Sequence, residues 1–145
     1  MQRLLNCGPV VELQRELGPD AVAVSAQGQA LHGQVLQQRL IARADLEAAV
    51  KRHTAAIVVA ARRVTVRDTV SRWGSCSATG ALNFSWRLIL APPFVLDYLA
   101  AHEVAHIGHM NHGKLFWAQV ERLTPHTKAA IAWLKRDGAR LQRMG

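Results

Sequence analysis

Acidic residues are scarce in this sequence: 10 Asp and Glu stand against 18 Lys and Arg in 145 residues, a formal net charge of +8. That imbalance attracts polyanions at long range, whether nucleic acid, nucleotides or acidic protein surfaces, without specifying a site for any of them. Aromatic residues make up only 6% of the chain, and none form a ladder among the cationic clusters Arg62–Arg63–Arg67 and Lys128, Lys135, Arg136, Arg140, Arg143. A single-strand nucleic-acid groove wants such a ladder, so the C-terminal charges read first as a solvated helix face. Cysteine is limited to Cys7 and Cys76, too few for a disulfide framework. No leading apolar run of signal-peptide length is present, and the apolar stretch before Leu5-Asn6-Cys7 is too short for a lipoprotein leader; a reducing cytoplasm is the expected location. The longest aliphatic run, Ala55 to Ala61, falls far short of a bilayer span, so no membrane partner is expected. A glycine-rich phosphate loop of the form G-x-x-x-x-G-K-[ST] is absent as well.

What is present is His102-Glu103-Val104-Ala105-His106, an H-E-x-x-H run, followed by His109 and His112. On a helix, residues four apart share a face and lie about 6 Å apart along the axis, so His102 and His106 can aim at one ion. Neutral imidazoles hold Zn²⁺ without cancelling its charge, the ion lowers the pKa of a water towards 7, and a neighbouring carboxylate, here Glu103, takes the proton. A catalytic zinc usually has three protein ligands, and the candidates for the third are His109, His112 and Glu121. His109 lies about 10 Å up the same helix from His102, an awkward span. His112 is preferred, because Gly108 and Asn111 are suited to ending the helix and turning the chain back, both tolerating a left-handed conformation. Cys76 is the one soft donor that can close the site from elsewhere.

Around this motif the chain reads as α+β, one domain of 145 residues with enough apolar residues for a core. Residues 1–35 are broken by glycine and proline, with short strands expected at Asp20–Ser25 and Gln29–His32. A helical composition runs from about Gln34 to Ala56, with Asp45 either capping a second helix or lying within one. Val64–Arg67, Ser71–Ser77 and, after the Thr79-Gly80 turn, Ala81–Trp86 read as a small antiparallel sheet of three strands. Trp73, Phe84 and Trp86 are read as its packing. Pro92-Pro93 opens the motif helix, Phe94 to about Gly108; Lys114–Leu123 is amphipathic, and Pro125 precedes a last helix, Thr127–Met144.

Several separated stretches agree in order with one known family. Ser71-Arg72-Trp73-Gly74-Ser75-Cys76-Ser77, Asn83-Phe84-Ser85-Trp86-Arg87-Leu88, Tyr98 through His106, and Asn111-His112-Gly113 with Phe116-Trp117 together resemble the YgjP-like metallopeptidase domain, a relative of the SprT-like zinc proteases. The resemblance spans roughly residues 36 to 141. It implies a compact zincin-like fold at 36–145, with the sheet packed on helices, His102, His106 and His112 as zinc ligands and Glu103 as base. It also implies that residues 1–35 are the remnant of a strand-rich N-terminal region. The metzincins share the interval from His102 to His112, but their glycine would fall where this chain has His109.

The expectation is therefore a zinc-dependent hydrolase acting on polypeptides, with Glu103 as general base. Two alternatives stand beside it: a metal-dependent nucleoside triphosphate pyrophosphohydrolase that gathers nucleotide through the basic surface, and a non-catalytic binding module whose zinc is structural. The first lacks directed cations, since His102 to Phe116 offers only Lys114; the second needs a fourth protein ligand, from Cys76 or His109.

Overall fold

A computed structural model describes residues 26–69 and 71–143. Helix α1, Ala26–Ile57, is followed by β1 (Arg63–Arg67), β2 (Gly74–Cys76) and β3 (Ala81–Ser85), then a 3₁₀ turn at Trp86–Leu90. Helices α2 (Pro93–Gly108) and α3 (Lys114–Leu123) come next, then a terminal helix running through α4 (Thr127–Trp133), a π-helical segment (Leu134–Gly138) and α5 (Ala139–Gln142). Among the described residues no helix is long and apolar enough to cross a membrane.

The three expected strands form one sheet packed on helices, but the pairing is not wholly antiparallel. The order is β1-β3-β2, with β3 antiparallel to β2 and parallel to β1. Successive strands do reverse direction, as short connections require; β3 then inserts between its two predecessors, so that β1 and β3 point the same way. Alternation at period two reports which face a side chain takes and nothing about neighbours. The β2–β3 hairpin turns where expected, with Gly80 at φ +85°, a conformation open to glycine. The carbonyl of Gly80 accepts from Arg62 N–H at 2.9 Å, which anchors the hairpin to the start of β1.

Two further differences concern helices. Gln29–His32, expected as a strand, lies inside α1, while the strand expected at Asp20–Ser25 falls outside the described residues. Glutamine and alanine are good helix formers, and Gly28 and Gly33 weaken a helix without ending it when the flanking residues propagate it. Asp45 lies within this one helix and caps nothing. The helix ends at Ile57 with Val58 at φ 55° and Val59 N–H bonded to the Thr54 carbonyl at 3.1 Å, a Schellman cap with valine in the glycine position.

Helix α2 is the centre of the molecule. Val95, Ala100, Ala101, Val104 and Ala105 are fully buried, the alanines letting neighbours approach closely. Leu46 and Val50 of α1, Leu82 and Phe84 of β3, Leu88 of the 3₁₀ turn, and Phe116 and Val120 of α3 close around it in one core. Each fully buried large side chain contributes about 1.5–3 kcal/mol. Phe84 and Trp86 are buried, as expected of sheet packing, and Trp73 is half-buried against Gly138 of the π segment.

A helix covered on several sides can carry polar groups only if they find partners. Asp97 accepts from Thr124 Oγ1 at 2.9 Å and pairs with His53 Nε2 at 2.9 Å and with Arg52, tying α2 to α1 and to the end of α3. Arg87, also buried, pairs with Asp68, which Arg39 reaches at 3.1 Å. That pair fixes the loop after β1. The remaining polar groups of α2 are the Tyr98 hydroxyl and those of the H-E-x-x-H run.

Candidate metal centre

Four residues apart on α2, His102 and His106 project from one face, as their spacing predicts. The helix ends at Gly108, but the chain leaves it through an extended His109 (φ −139°, ψ 95°). Among the described residues positive φ occurs only at Val58 and Gly80, so neither Gly108 nor Asn111 uses the left-handed conformation anticipated for this turn. His112 is carried back over the helix. Its Nε2 lies 3.2 Å from that of His106 and 3.4 Å from that of His102.

The other ring nitrogens are engaged elsewhere. Nδ1 of His106 meets the His109 carbonyl oxygen at 3.0 Å; a carbonyl can only accept, so Nδ1 carries the proton and Nε2 is left as a bare lone pair. Nδ1 of His102 meets the Tyr98 hydroxyl at 3.3 Å, whose oxygen can accept in the same way. Burial, followed by the charges of His106 and His112, lowers the pKa of His102 to about 4, and burial lowers that of His106. Both are therefore neutral imidazoles at pH 7, the form that binds metal.

These donors fit a metal ion. Ligand nitrogens roughly 2.0–2.1 Å from a tetrahedral zinc stand about 3.3 Å apart, close to both separations found here. Among the described residues His102, His106 and His112 form the metal-capable group, and no fourth histidine, cysteine or carboxylate joins it. His109 contributes its carbonyl to His106 and keeps its ring out of the cluster. Glu121 is exposed on α3, and Cys76 stays on β2, its thiol pushed up to about 11 by burial and by Glu103, far from the thiolate that ligates.

Glu103 lies beside the ring cluster, its Oε1 4.0 Å from His102 Nε2. It is 5% exposed, and burial pushes its pKa up to about 7. A carboxyl so poised can take a proton and return it near neutral pH. Its wall is Gly74 of β2: a Cβ built there would meet Glu103 Cγ at 3.0 Å and Oε1 at 3.2 Å. Phe116 stacks on His106 with ring centroids 4.3 Å apart, and Trp117 approaches His102 at 5.9 Å, so α3 forms the apolar side of the site.

Residues 14–137 match the sequence model of a family described as YgjP-like, metallopeptidase domain. The chain belongs to this family. No curated protein and no solved structure matches it. The YgjP-like match covers the whole sheet and every residue of the site just described. Two contributors had no stated role in the sequence reading. Tyr98 lies one helical turn before His102, a spacing that could have revealed it. Gly74 could not be found that way, since its closeness to Glu103 arises only when β2 packs on α2.

Proposed function

We propose that this YgjP-like domain is a zinc-dependent peptidase in which His102, His106 and His112 hold the ion and Glu103 is the general base. The observation that carries the reading is the set of three Nε2 atoms at 3.2 and 3.4 Å with a buried carboxylate 4.0 Å from one of them. When bound, zinc supplies the Lewis acidity that polarises the scissile carbonyl and acidifies water. Glu103 takes the proton of the attacking water and returns it to the leaving amine. Tyr98 and the His109 carbonyl orient the two helical imidazoles, while Phe116 and Trp117 exclude water from one side. A group of three donors with no fourth protein ligand among the described residues favours catalysis over a closed structural site.

The family's description as a metallopeptidase supports a peptide bond as the target. The test compares zinc-loaded wild type and Glu103→Gln on unfolded polypeptides and, as a control, on nucleoside triphosphates. Glu103→Gln keeps zinc and fold and loses peptide cleavage by about three orders of magnitude or more. Unchanged cleavage by the zinc-loaded variant overturns the mechanism, and release of pyrophosphate without peptide fragments overturns the choice of bond.

A further inference from the structure

A groove of about 330 Å³ opens on the face of the sheet opposite Glu103, lined among others by Arg67, Thr69, Arg72, Gly74, Ser75 and Asn83. Gly74 belongs to both places: it lines the groove and forms the wall behind Glu103. The groove is thus one backbone thickness from the group assigned to proton transfer.

Its charge is one-sided. Two arginines line it and, among the described residues, no aspartate or glutamate does. The acid nearest in sequence, Asp68, is already engaged by Arg87 and by Arg39 at 3.1 Å. Arg67 donates from Nε to Asn83 Oδ1 at 3.0 Å, which orients its fork and leaves both terminal nitrogens available. Arg72 is held by its backbone, its carbonyl accepting from Thr69 Oγ1 at 2.7 Å, and among the described residues its guanidinium has no partner. Two arginines that line one groove, with no counter-charge among the described residues, suit a carboxylate, which a guanidinium can receive in bidentate fashion.

We propose that Arg67 and Arg72 form a subsite for a carboxylate of the substrate, the side chain of an Asp or Glu within two residues of the bond that is cut. The inference rests on the peptidase reading and deepens it to a preference for acidic sequences. The span follows from the pleat: β2 is an outer strand in the order β1-β3-β2, and a substrate strand laid along it would turn successive side chains to opposite faces, so a residue next to the one whose carbonyl meets Glu103 reaches the groove's face. The excess of cations across the whole chain gathers acidic polypeptides, and these two arginines select among their residues.

The experiment uses pairs of labelled peptides identical except for Asp or Asn at one position, scanned across the sites flanking the cut. Binding is measured by fluorescence anisotropy on the full chain freed of metal, and kcat/KM on the zinc-loaded protein. Wild type binds and cleaves the Asp peptide better than its Asn twin by about tenfold at one position, the size expected of a charge-assisted bond. Arg72→Glu removes that ratio, and because Arg72 is exposed and, among the described residues, without a side-chain partner, this variant tests the subsite even if Arg67→Glu disturbs the sheet. Equal affinity for the two peptides at every position overturns the subsite, whether or not they are cut. An Asp preference in binding with no cleavage of any peptide upholds the subsite and sinks the peptidase reading. Displacement of the Asp peptide by a nucleoside triphosphate that is itself hydrolysed shows that the arginines serve a phosphate, and overturns the proposal.

Discussion

Gly74 and Glu103 are in van der Waals contact across the junction of β2 and α2, so close that a methyl group on Gly74 would stand 3.0 Å from Glu103 Cγ and 3.2 Å from both Oε1 and the Asn83 carbonyl oxygen. The carboxylate is thereby held towards the histidine cluster by backbone. Gly74→Ala is expected to displace it by a few tenths of an ångström, destabilise the fold by about 1–3 kcal/mol, and lower kcat at least about tenfold with zinc content unchanged. Full activity in Gly74→Ala would mean that Glu103's position is not critical.

Metal content separates His112 from His109. His112→Ala removes one of three converging nitrogens and is expected to leave purified protein with little zinc, whereas His109→Ala keeps the carbonyl that His106 uses and retains about one zinc per chain. Metal analysis of the two variants decides the matter. A full site in His112→Ala with an empty one in His109→Ala would reverse the assignment.

Acid stability is expected to depend on Asp97. Burial alone would raise its pKa, but hydrogen bonds with His53 and Thr124 and the charges of His53 and Arg52 outweigh it and hold the carboxyl at about 2. Because the folded value lies below that of the unfolded chain, about 3.9, this stability is complete above about pH 4 and is lost as the pH falls through 2. The shift corresponds to about 2 kcal/mol for a side chain 20% exposed, with little of it from Arg52, which is 63% exposed. Asp97→Asn should unfold more easily at pH 7 by about this amount and match wild type near pH 2, as denaturant titrations at the two pH values would reveal.

Val58 offers the opposite sign. It is 91% exposed and held at φ 55°, where its branched side chain costs about 1–2 kcal/mol. Val58→Gly is expected to raise stability by about 1 kcal/mol without touching the site. A lowered Tm would show that the cap is not strained.

What could be read in the sequence was local. The H-E-x-x-H helix, its proline entry and the Thr79-Gly80 turn all follow from spacing along a few helical turns or one hairpin. Three features required the packed chain. The insertion of β3 between β1 and β2 leaves no mark on alternation, because period two encodes faces and not neighbours. The helical state of Gln29–His32 depends on propagation along α1, against the two glycines that suggested a break. The contacts of Glu103 with Gly74 and of Asp97 with His53 join residues far apart in sequence, and nothing in either segment announces its partner.

The three histidines lie at most ten residues apart, on one helix and the turn that leaves it, whereas the strand that positions Glu103 arrives from beyond a hairpin and a 3₁₀ turn. Closing the shorter loop costs less entropy and needs fewer other contacts to be in place. During refolding from denaturant with zinc present, the ion should be captured before β2 docks, so that metal uptake runs ahead of the return of turnover. The chain then passes through a metal-loaded, inactive form. Stopped-flow zinc indicators and activity sampled on the same refolding reaction would register that order as two rates, and a single shared rate would show that helix, turn and sheet assemble together.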